Sequence, residues 1–357
     1  MALRLPRIVF HADMDAFYVA CERRRAPDLA GTPVVIGADP KGGQGRGVVM
    51  AASYEARDLG VTSGMPISQA WRRLPNAVYR IPDYDLYGDV SESVMGILRE
   101  FADVVEQASI DEAYLDVTSR TTWDTVREHA LAVKRAVRDR EGITCTVGVA
   151  PNKSCAKIAG ESQKPDGLTV VTPERIRAFL DPLPVSRISG VGPRTEEVLT
   201  EAGVRTVGEL ARFSGDRLKE LLGKNAVWLW GIARGIEELP VEERPDPKSL
   251  SVERTFERDV LDWEVVLGTL DDIAENVWQR ARLEKVRFRN VGVRVRFEGF
   301  ETHSRERTLA THVDDPAVLT RIARELAAEF QWDPRPVRMV GVRVSHFSRS
   351  GGQRRLA

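Results

Sequence analysis

Two short stretches of this sequence put acidic side chains where an apolar strand is expected. His11-Ala12-Asp13-Met14-Asp15 closes a run that begins Ile8-Val9-Phe10. Ser109-Ile110-Asp111-Glu112-Ala113-Tyr114-Leu115-Asp116-Val117 sets two adjacent acids among apolar residues. A carboxylate inside such a strand is costly unless a cation compensates it, and neither stretch has a fixed Arg or Lys partner nearby in sequence. A divalent metal would neutralise both clusters if the fold brought them together. The chemistry this suits is phosphoryl or nucleotidyl transfer, in which two Mg²⁺ ions about 3.5–4 Å apart activate the attacking oxygen and stabilise the leaving one. Read alone, the same acids also fit turns or helix caps, which is the commoner use of Asp. Geometry adds a demand. Neighbours in a regular strand face opposite sides, so Asp111 and Glu112 reach one centre only at a strand end, a hairpin tip or a bulge.

The rest of the chain must position these acids. It has 357 residues, 42% hydrophobic and 29% charged, the composition of a soluble globular protein. That length predicts two to four packed units rather than one core. With 52 basic and 53 acidic side chains the net charge is -1, so a nucleic-acid partner must be sought in local clusters. Cys21, Cys145 and Cys155 form no CxxC pair, and the five histidines have no metal-ligand spacing. The basic opening MALRLPRIVF lacks the apolar run of a signal peptide. No stretch approaches the roughly 20 apolar residues of a membrane helix. The expectation is a reduced, cytoplasmic protein without a membrane partner.

Apolar spacing predicts strands at 7–14, 33–38, 47–52, 106–116 and 144–149 and helices at 17–25, 87–101, 123–140 and 152–160, with Asn152 as N-cap. Residues 173–235 read as helices joined by short turns. Leu239 to Lys248, with three prolines, is the best linker. Beyond it, a strand (249–256), a helix (263–284), a strand pair (291–297 and 305–311), a helix (316–331) and a strand (337–347) follow the β-α-β-β-α-β ferredoxin-like pattern. The Ser/Gly/Arg-rich residues 348–357 read as a flexible tail. The class is α+β multidomain.

Five blocks now stand in order: ADMDAFYVACE (12–22), SYEARDLGV (53–61), SIDEAYLDV (109–117), TVGVAPNKSCAKIAGESQKPDG (146–167) and SGVGPRTEEVL (189–199). Together they resemble the Y-family DNA polymerases, specifically the bacterial DNA polymerase IV (DinB) branch, with KSLSVERTF (248–256) as a further bacterial-like block. The resemblance spans about residues 5 to 347. It implies a right-hand polymerase: palm (1–16 and 83–172), fingers (17–82), helix-hairpin-helix thumb (173–239), linker (240–248) and little finger (249–347). The implied activity is low-fidelity, template-directed addition of deoxynucleotides to a primer 3′ end in translesion synthesis. The implied ligands are primer-template DNA, the incoming dNTP and two Mg²⁺ ions, with Mn²⁺ as substitute, on a monomeric protein.

Carried over by position, Asp13, Asp111 and Glu112 are the catalytic metal ligands, and the main-chain carbonyl of Met14 adds an oxygen. Phe17, Tyr18, Tyr54, Arg57 and Lys164 contact the nucleotide. Tyr18 is the steric gate, its ring under the sugar where a 2′-OH would clash. Ala38, Met50, Ala52 and Gly64 border the nascent base pair as a roof of small residues that leaves space for damaged templates. Two departures stand out: Ala51 lacks a hydroxyl that touches phosphate in many relatives, and Ala16 replaces a larger residue beside the sugar.

For DNA, the sequence offers Ser189-Gly190-Val191-Gly192 before a helix, a hairpin that lets backbone approach a phosphate. Gly190 and Gly192 are its contact residues. In the C-terminal part, residues 280–296 carry seven basic side chains and one acid. Arg294 and Arg296 alternate with Val293, Val295 and Phe297, and Arg343 with Val342 and Val344, so one sheet face is expected to be cationic. Arg338, Ser249 and Ser251 complete the expected DNA contacts. A sliding clamp is a partner of many bacterial relatives, yet the ending Gln353-Arg354-Arg355-Leu356-Ala357 has no clear clamp motif. A nucleotidyl cyclase on a similar sheet would lack the hairpin and the basic C-terminal part. A non-catalytic paralogue would be expected to lose one of the three acids, and all three are present.

Overall fold

The computed structural model describes residues 7–243 and 247–349, which form two compact units divided between them. The first opens with β1 (Val9–Met14), buried throughout except at Asp13. It continues through α1 (Phe17–Arg25), β2 (Val34–Gly37), β3 (Val49–Ala52), α2 (Tyr54–Asp58), α3 (Ile67–Arg73) and β4 (Val78–Arg80). These strands make a small sheet in the order β3-β2-β4, β2 antiparallel to β3 and parallel to β4. Ser53 joins sheet to helix: its Oγ accepts from Val34 N at 3.1 Å and caps α2 by accepting from Ala56 N at 3.3 Å.

The chain then builds α4 (Tyr84–Phe101), β5 (Val104–Gln107), β6 (Glu112–Asp116), α5 (Val126–Glu141), β7 (Cys145–Ala150), α6 (Lys153–Glu161) and β8 (Leu168–Val170). The sheet order is β5-β6-β1-β7-β8, with β1 central and antiparallel to both neighbours. Alternation along β1 divides its side chains between two cores. Phe10, Ala12 and Met14 join Val94 and Leu98 of α4 and Val133 of α5, whereas Val9 joins Ala156 and Ala159 of α6. His11 and Asp13 therefore share the face covered by α6. Asn152 caps that helix, its Oδ1 accepting from Cys155 N at 2.9 Å, as its position predicted.

One expectation changes here. Residues 106–116 are two strands, β5 and β6, joined by a turn over 108–111, and not one strand. The turn is closed by N–H bonds from Ala108 and Ser109 to the Glu112 carbonyl, at 3.0 and 3.2 Å. Its cause is local: the Ser109 hydroxyl binds backbone in competition with the ladder.

A helical region follows: α7 (Ile176–Leu180), α8 (Pro193–Glu201), α9 (Val207–Arg212), α10 (Gly215–Leu222) and α11 (Ala226–Ala233). A Thr206–Glu209 capping box starts α9. Val241, read from sequence as linker, is buried in the core of this unit, and Glu242 N donates to Glu106 at 3.1 Å. Residues 244–246 of the expected linker lie outside the described residues.

The second unit holds β9 (Ser249–Val260), α12 (Trp263–Leu283), β10 (Val286–Phe297), β11 (Thr302–Val313), α13 (Pro316–Ala328), β12 (Val337–Ser345) and β13 (Ser348–Arg349). This is the expected β-α-β-β-α-β order, in an antiparallel sheet ordered β11-β10-β12-β9, so that β12 separates β9 from β10. Val291, Val293, Val295, Val340, Val342 and Val344 pack under the two helices. The first residues of the expected tail, Ser348 and Arg349, pair with Val286 and Arg287, and 350–357 lie outside the described residues. Among the described residues no helix is long and apolar enough to cross a membrane.

Candidate active site

Asp13 lies at the end of β1 directly opposite Glu112, the first residue of β6. Asp111 is the last residue of the turn, and its carbonyl accepts from Met14 N at 2.9 Å. The two adjacent acids thus sit at a hairpin end, where strand alternation no longer separates them. Ser109 holds the turn. Its Oγ donates to Asp111 Oδ1 at 2.6 Å and accepts from the N–H groups of Glu112 and Asp111 at 3.1 and 3.3 Å.

Each strand acid has a cation from far along the chain, a partner that the neighbouring sequence does not supply. Lys164 Nζ is 2.5 Å from Asp13 Oδ2, and Lys157 Nζ is 2.6 Å from Glu112 Oε2. His11, fully buried, places Nε2 3.3 Å from the same Glu112 oxygen. The hydrogen bond from His11, with Lys157 beside it, holds the Glu112 carboxyl down at about 2 in spite of burial. Asp13 shifts the other way. Burial raises its pKa more than Lys164 lowers it, and nearby Asp111 raises it further. A bound cation would remove that penalty. Of the side chains gathered here, Asp13 and Glu112 offer carboxylate oxygens, which suit a hard divalent ion, and His11 offers a ring nitrogen. The ligand atoms of Asp13, Glu112 and His11 lie within 4.8 Å of one another, so the acids are close enough to share an ion.

Asp15, also in the N-terminal acidic stretch, does a different job. It is buried and accepts from Thr144 and Thr146 hydroxyls at 2.8 and 2.7 Å and from Asp166 N at 2.8 Å. It thereby ties down the loop that carries Lys164.

The residues expected at the nucleotide are brought to this neighbourhood unequally. Tyr18 is half-buried at the start of α1, its ring edge-on to Phe17 and Tyr87 with centroids 5.5 and 4.9 Å away. Burial, and then Asp111, raise its pKa, which places it on the same side as the acids. Phe17 points into the core, 2% exposed, so only its main chain can meet a ligand. Tyr54 stands near Asp15 and Asp13, its hydroxyl pushed up to about 12 by burial first and by these charges. The Arg57 guanidinium lies 4.9 Å over the Tyr54 ring and its Nε donates to Ala52 O at 2.9 Å. Ala52 is fully buried in the core behind the small sheet and borders nothing open; Ala51 is likewise buried. Ala38 and Met50 are half-buried.

Farther off, Gly190 has φ +93 and lies under the Trp228 indole: a Cβ there would meet Cη2 at 3.1 Å. Gly192 precedes α8 without a side-chain cap, leaving the helix N–H groups open. In the second unit Ser249, Ser251, Arg294 and Arg343 line one groove on the open sheet face, where Arg294 stands opposite Gly341 and Arg343 opposite Gly292. Arg296 Nε donates to Thr302 Oγ1 at 2.8 Å. The face is less one-signed than the sequence implied, because Glu253 and Glu306 share the groove and Glu253 pairs with Arg294 at 2.7 Å. Arg338 is not in the groove; it stacks 4.3 Å from the Phe300 ring.

Sequence reading passed over His11, Ser109 and Lys157. Two of them had a signal: His11 is two residues before Asp13 on one strand face, and Ser109 two before Asp111 in a turn. Lys157 had none, since only packing of α6 on the sheet brings it to Glu112.

Comparison with known proteins identifies relatives of nearly the whole chain. The chain matches the impB/mucB/samB family over 12–161, its C-terminal domain over 247–356, and the helix-hairpin-helix of DNA polymerase eta and Rev1 over 183–236. It is 48% identical to a DNA polymerase IV of Methanoculleus marisnigri, across 95% of this chain and 94% of that one. A DNA polymerase IV of Halobacterium salinarum is 42% identical, across 96% and 86%. Among solved structures, a Y-family polymerase chimera of Dbh and Dpo4 superposes with TM-score 0.90 at 30% identity, over 96% of this chain and all of that one (100%). An insertion ternary complex of Dbh polymerase gives 0.68 at 30% identity, with coverage of 96% and 100%.

Proposed function

The chain belongs to the impB/mucB/samB family, the Y-family DNA polymerases of DinB type, and on that premise we propose that Asp13, Asp111 and Glu112 are its catalytic centre. It is a DNA-directed DNA polymerase of the translesion class. Such enzymes are metal-dependent. The finer reading is two Mg²⁺ ions, replaceable by Mn²⁺, held by the three carboxylates and the Met14 carbonyl; when bound they activate the primer 3′-OH and neutralise charge on the phosphates. The observation that carries this reading is the hairpin end, which sets Glu112 opposite Asp13 and places Asp111 near enough for its charge to act on Asp13.

The protein's residues then divide the work. Lys164, which pairs with Asp13, would with Arg57 and Tyr54 hold the triphosphate. Lys157 and His11 keep Glu112 ionised and oriented. Tyr18 and the Phe17 main chain floor the sugar site, with Ala38, Met50 and Gly64 near the nascent pair. Attack of the 3′-OH on the α-phosphate extends the primer and releases pyrophosphate. Primer-template DNA is contacted in the first unit by the hairpin at Gly190 and Gly192, and in the second by the groove at Ser249, Ser251, Arg294 and Arg343, with Arg296 and Arg338 as further contacts. In this reading 1–16 and 83–172 are palm, 17–82 fingers, 173–239 thumb, 240–248 linker and 249–347 little finger, and the protein works as a cytoplasmic monomer.

Primer extension with Mg²⁺ tests the centre. Asp111→Ala with Glu112→Ala should abolish extension, a loss of at least about 1,000-fold, while DNA binding persists. Extension surviving the double substitution refutes the assignment.

A further inference from the structure

On the β4 edge of the small sheet lies a cavity of about 400 Å³, of whose lining the mechanism uses Ala38 alone. Its floor is an aromatic pair: Trp71 at the end of α3 and Tyr79 in β4, ring centroids 5.1 Å apart and tilted by 50°. Tyr79 is oriented by its hydroxyl, which donates to the Leu74 carbonyl at 3.2 Å. The opposite wall is the turn 40–43, closed by N–H bonds from Gly43 and Gly45 to the Pro40 carbonyl at 2.7 and 2.8 Å. Gly43, with φ +92, presses against the indole, its ideal Cβ only 3.0 Å from Trp71 Cδ1. The rim carries Lys41, Arg80 and one acid, Asp39, and Ile81 is 61% exposed beside it. A buried aromatic core would not leave such a cleft open. An aromatic floor, a rigid glycine wall and a cationic rim are the parts of a site for an unpaired nucleobase with its phosphate.

Position selects which nucleotide. In the sheet order β3-β2-β4, the residues assigned to the triphosphate, Tyr54 and Arg57, follow β3 at one edge, and the cavity is on the other edge. Ala38, at the end of β2, both lines the cavity and belongs to the wall of the nascent base pair in the reading above. A strand leaving that pair on the side away from the triphosphate is the template, running toward its 5′ end. We propose that Trp71 and Tyr79 form a stacking pocket for an unpaired template base just 5′ of the templating one, with Lys41 and Arg80 facing its phosphates. This rests on the polymerase reading and adds a subsite to it. The pocket would hold the next template residue out of the stack and slow its slippage into the nascent pair.

The test uses the full chain and primer-templates with zero, one, two or four unpaired template nucleotides beyond the templating base. Affinity should rise at least about fivefold once the base that fills the pocket is present, the size of one base-aromatic stack. An abasic residue at that one overhang position should remove the gain with the wild-type protein, so the result does not hang on any variant's folding. Trp71→Ala should likewise lose it and Trp71→Phe keep it. An overhang gain that ignores the abasic residue, or no gain at all, overturns the pocket. Extension on templates without overhang separates the two readings: it continues if only the pocket fails, and is absent on every template if the polymerase assignment fails.

Discussion

Lys157 and Lys164 decide how the acids rest before any ligand arrives. Each gives one carboxylate a partner within 2.6 Å, so neither strand acid is an uncompensated charge. The effects differ because their surroundings differ. Glu112 has two donors, and Asp13 has one donor and a nearby acid, so burial wins at Asp13 alone. Tyr18 is not a free ring. It leans on Tyr87, which is fully buried and whose hydroxyl donates to Glu22 at 2.9 Å, and Glu22 in turn pairs with Arg25 at 2.8 Å. In the proposed reading such backing would hold the ring against a 2′-OH. Tyr18→Ala should lower the ratio of kcat/KM for deoxynucleotides over ribonucleotides at least about tenfold. An unchanged ratio would remove Tyr18 from the gate.

Among elements, the β5–β6 hairpin and the 188–192 turn matter most. The hairpin converts a sequence pattern that reads as one strand into an end that sets Glu112 opposite Asp13 and leaves Asp111 in the turn. The 188–192 turn depends on Gly190 twice, for its positive φ and for the space under Trp228. Gly190→Ala adds a methyl 3.1 Å from the indole in a conformation that alanine resists. It should cost about 1–3 kcal/mol, seen as a lower Tm, and should weaken primer-template binding without changing the metal requirement. Equal Tm and equal Kd would show that the hairpin can re-form around the methyl.

Over the whole molecule, all three cysteines lie in the first unit and all are buried. Burial pushes the thiols of Cys21, Cys145 and Cys155 up to about 12. The sign follows: the folded thiols stay neutral at pH 8, the unfolded ones ionise near 8.5, and stability drawn from neutral burial is lost as pH rises from about 9 toward 12. A thiol reagent at pH 8 should therefore find none of the three in the native protein and all three after denaturation. Rapid native labelling would mean that the first unit opens locally. The two units have separate cores, the second built from a valine-rich sheet under α12 and α13.

Most of the element order and the N-cap at Asn152 were legible in the sequence, the strand read over 106–116 excepted. They depend on period, turn chemistry and residue type, which are local. Alternation even stated the condition the acids had to meet, that Asp111 and Glu112 sit where a strand ends. What met it, the turn held by Ser109, was hidden because an apolar run does not reveal where it folds back. Lys157 and Lys164 could not be paired with Glu112 and Asp13, since those contacts span 45 and 151 residues and exist only once α6 and the 164–167 loop pack on the sheet. The cationic face was likewise overdrawn, because Glu253 comes from a distant strand to meet Arg294. Chemistry was written in residue types; which charges compensate which was decided by tertiary contact.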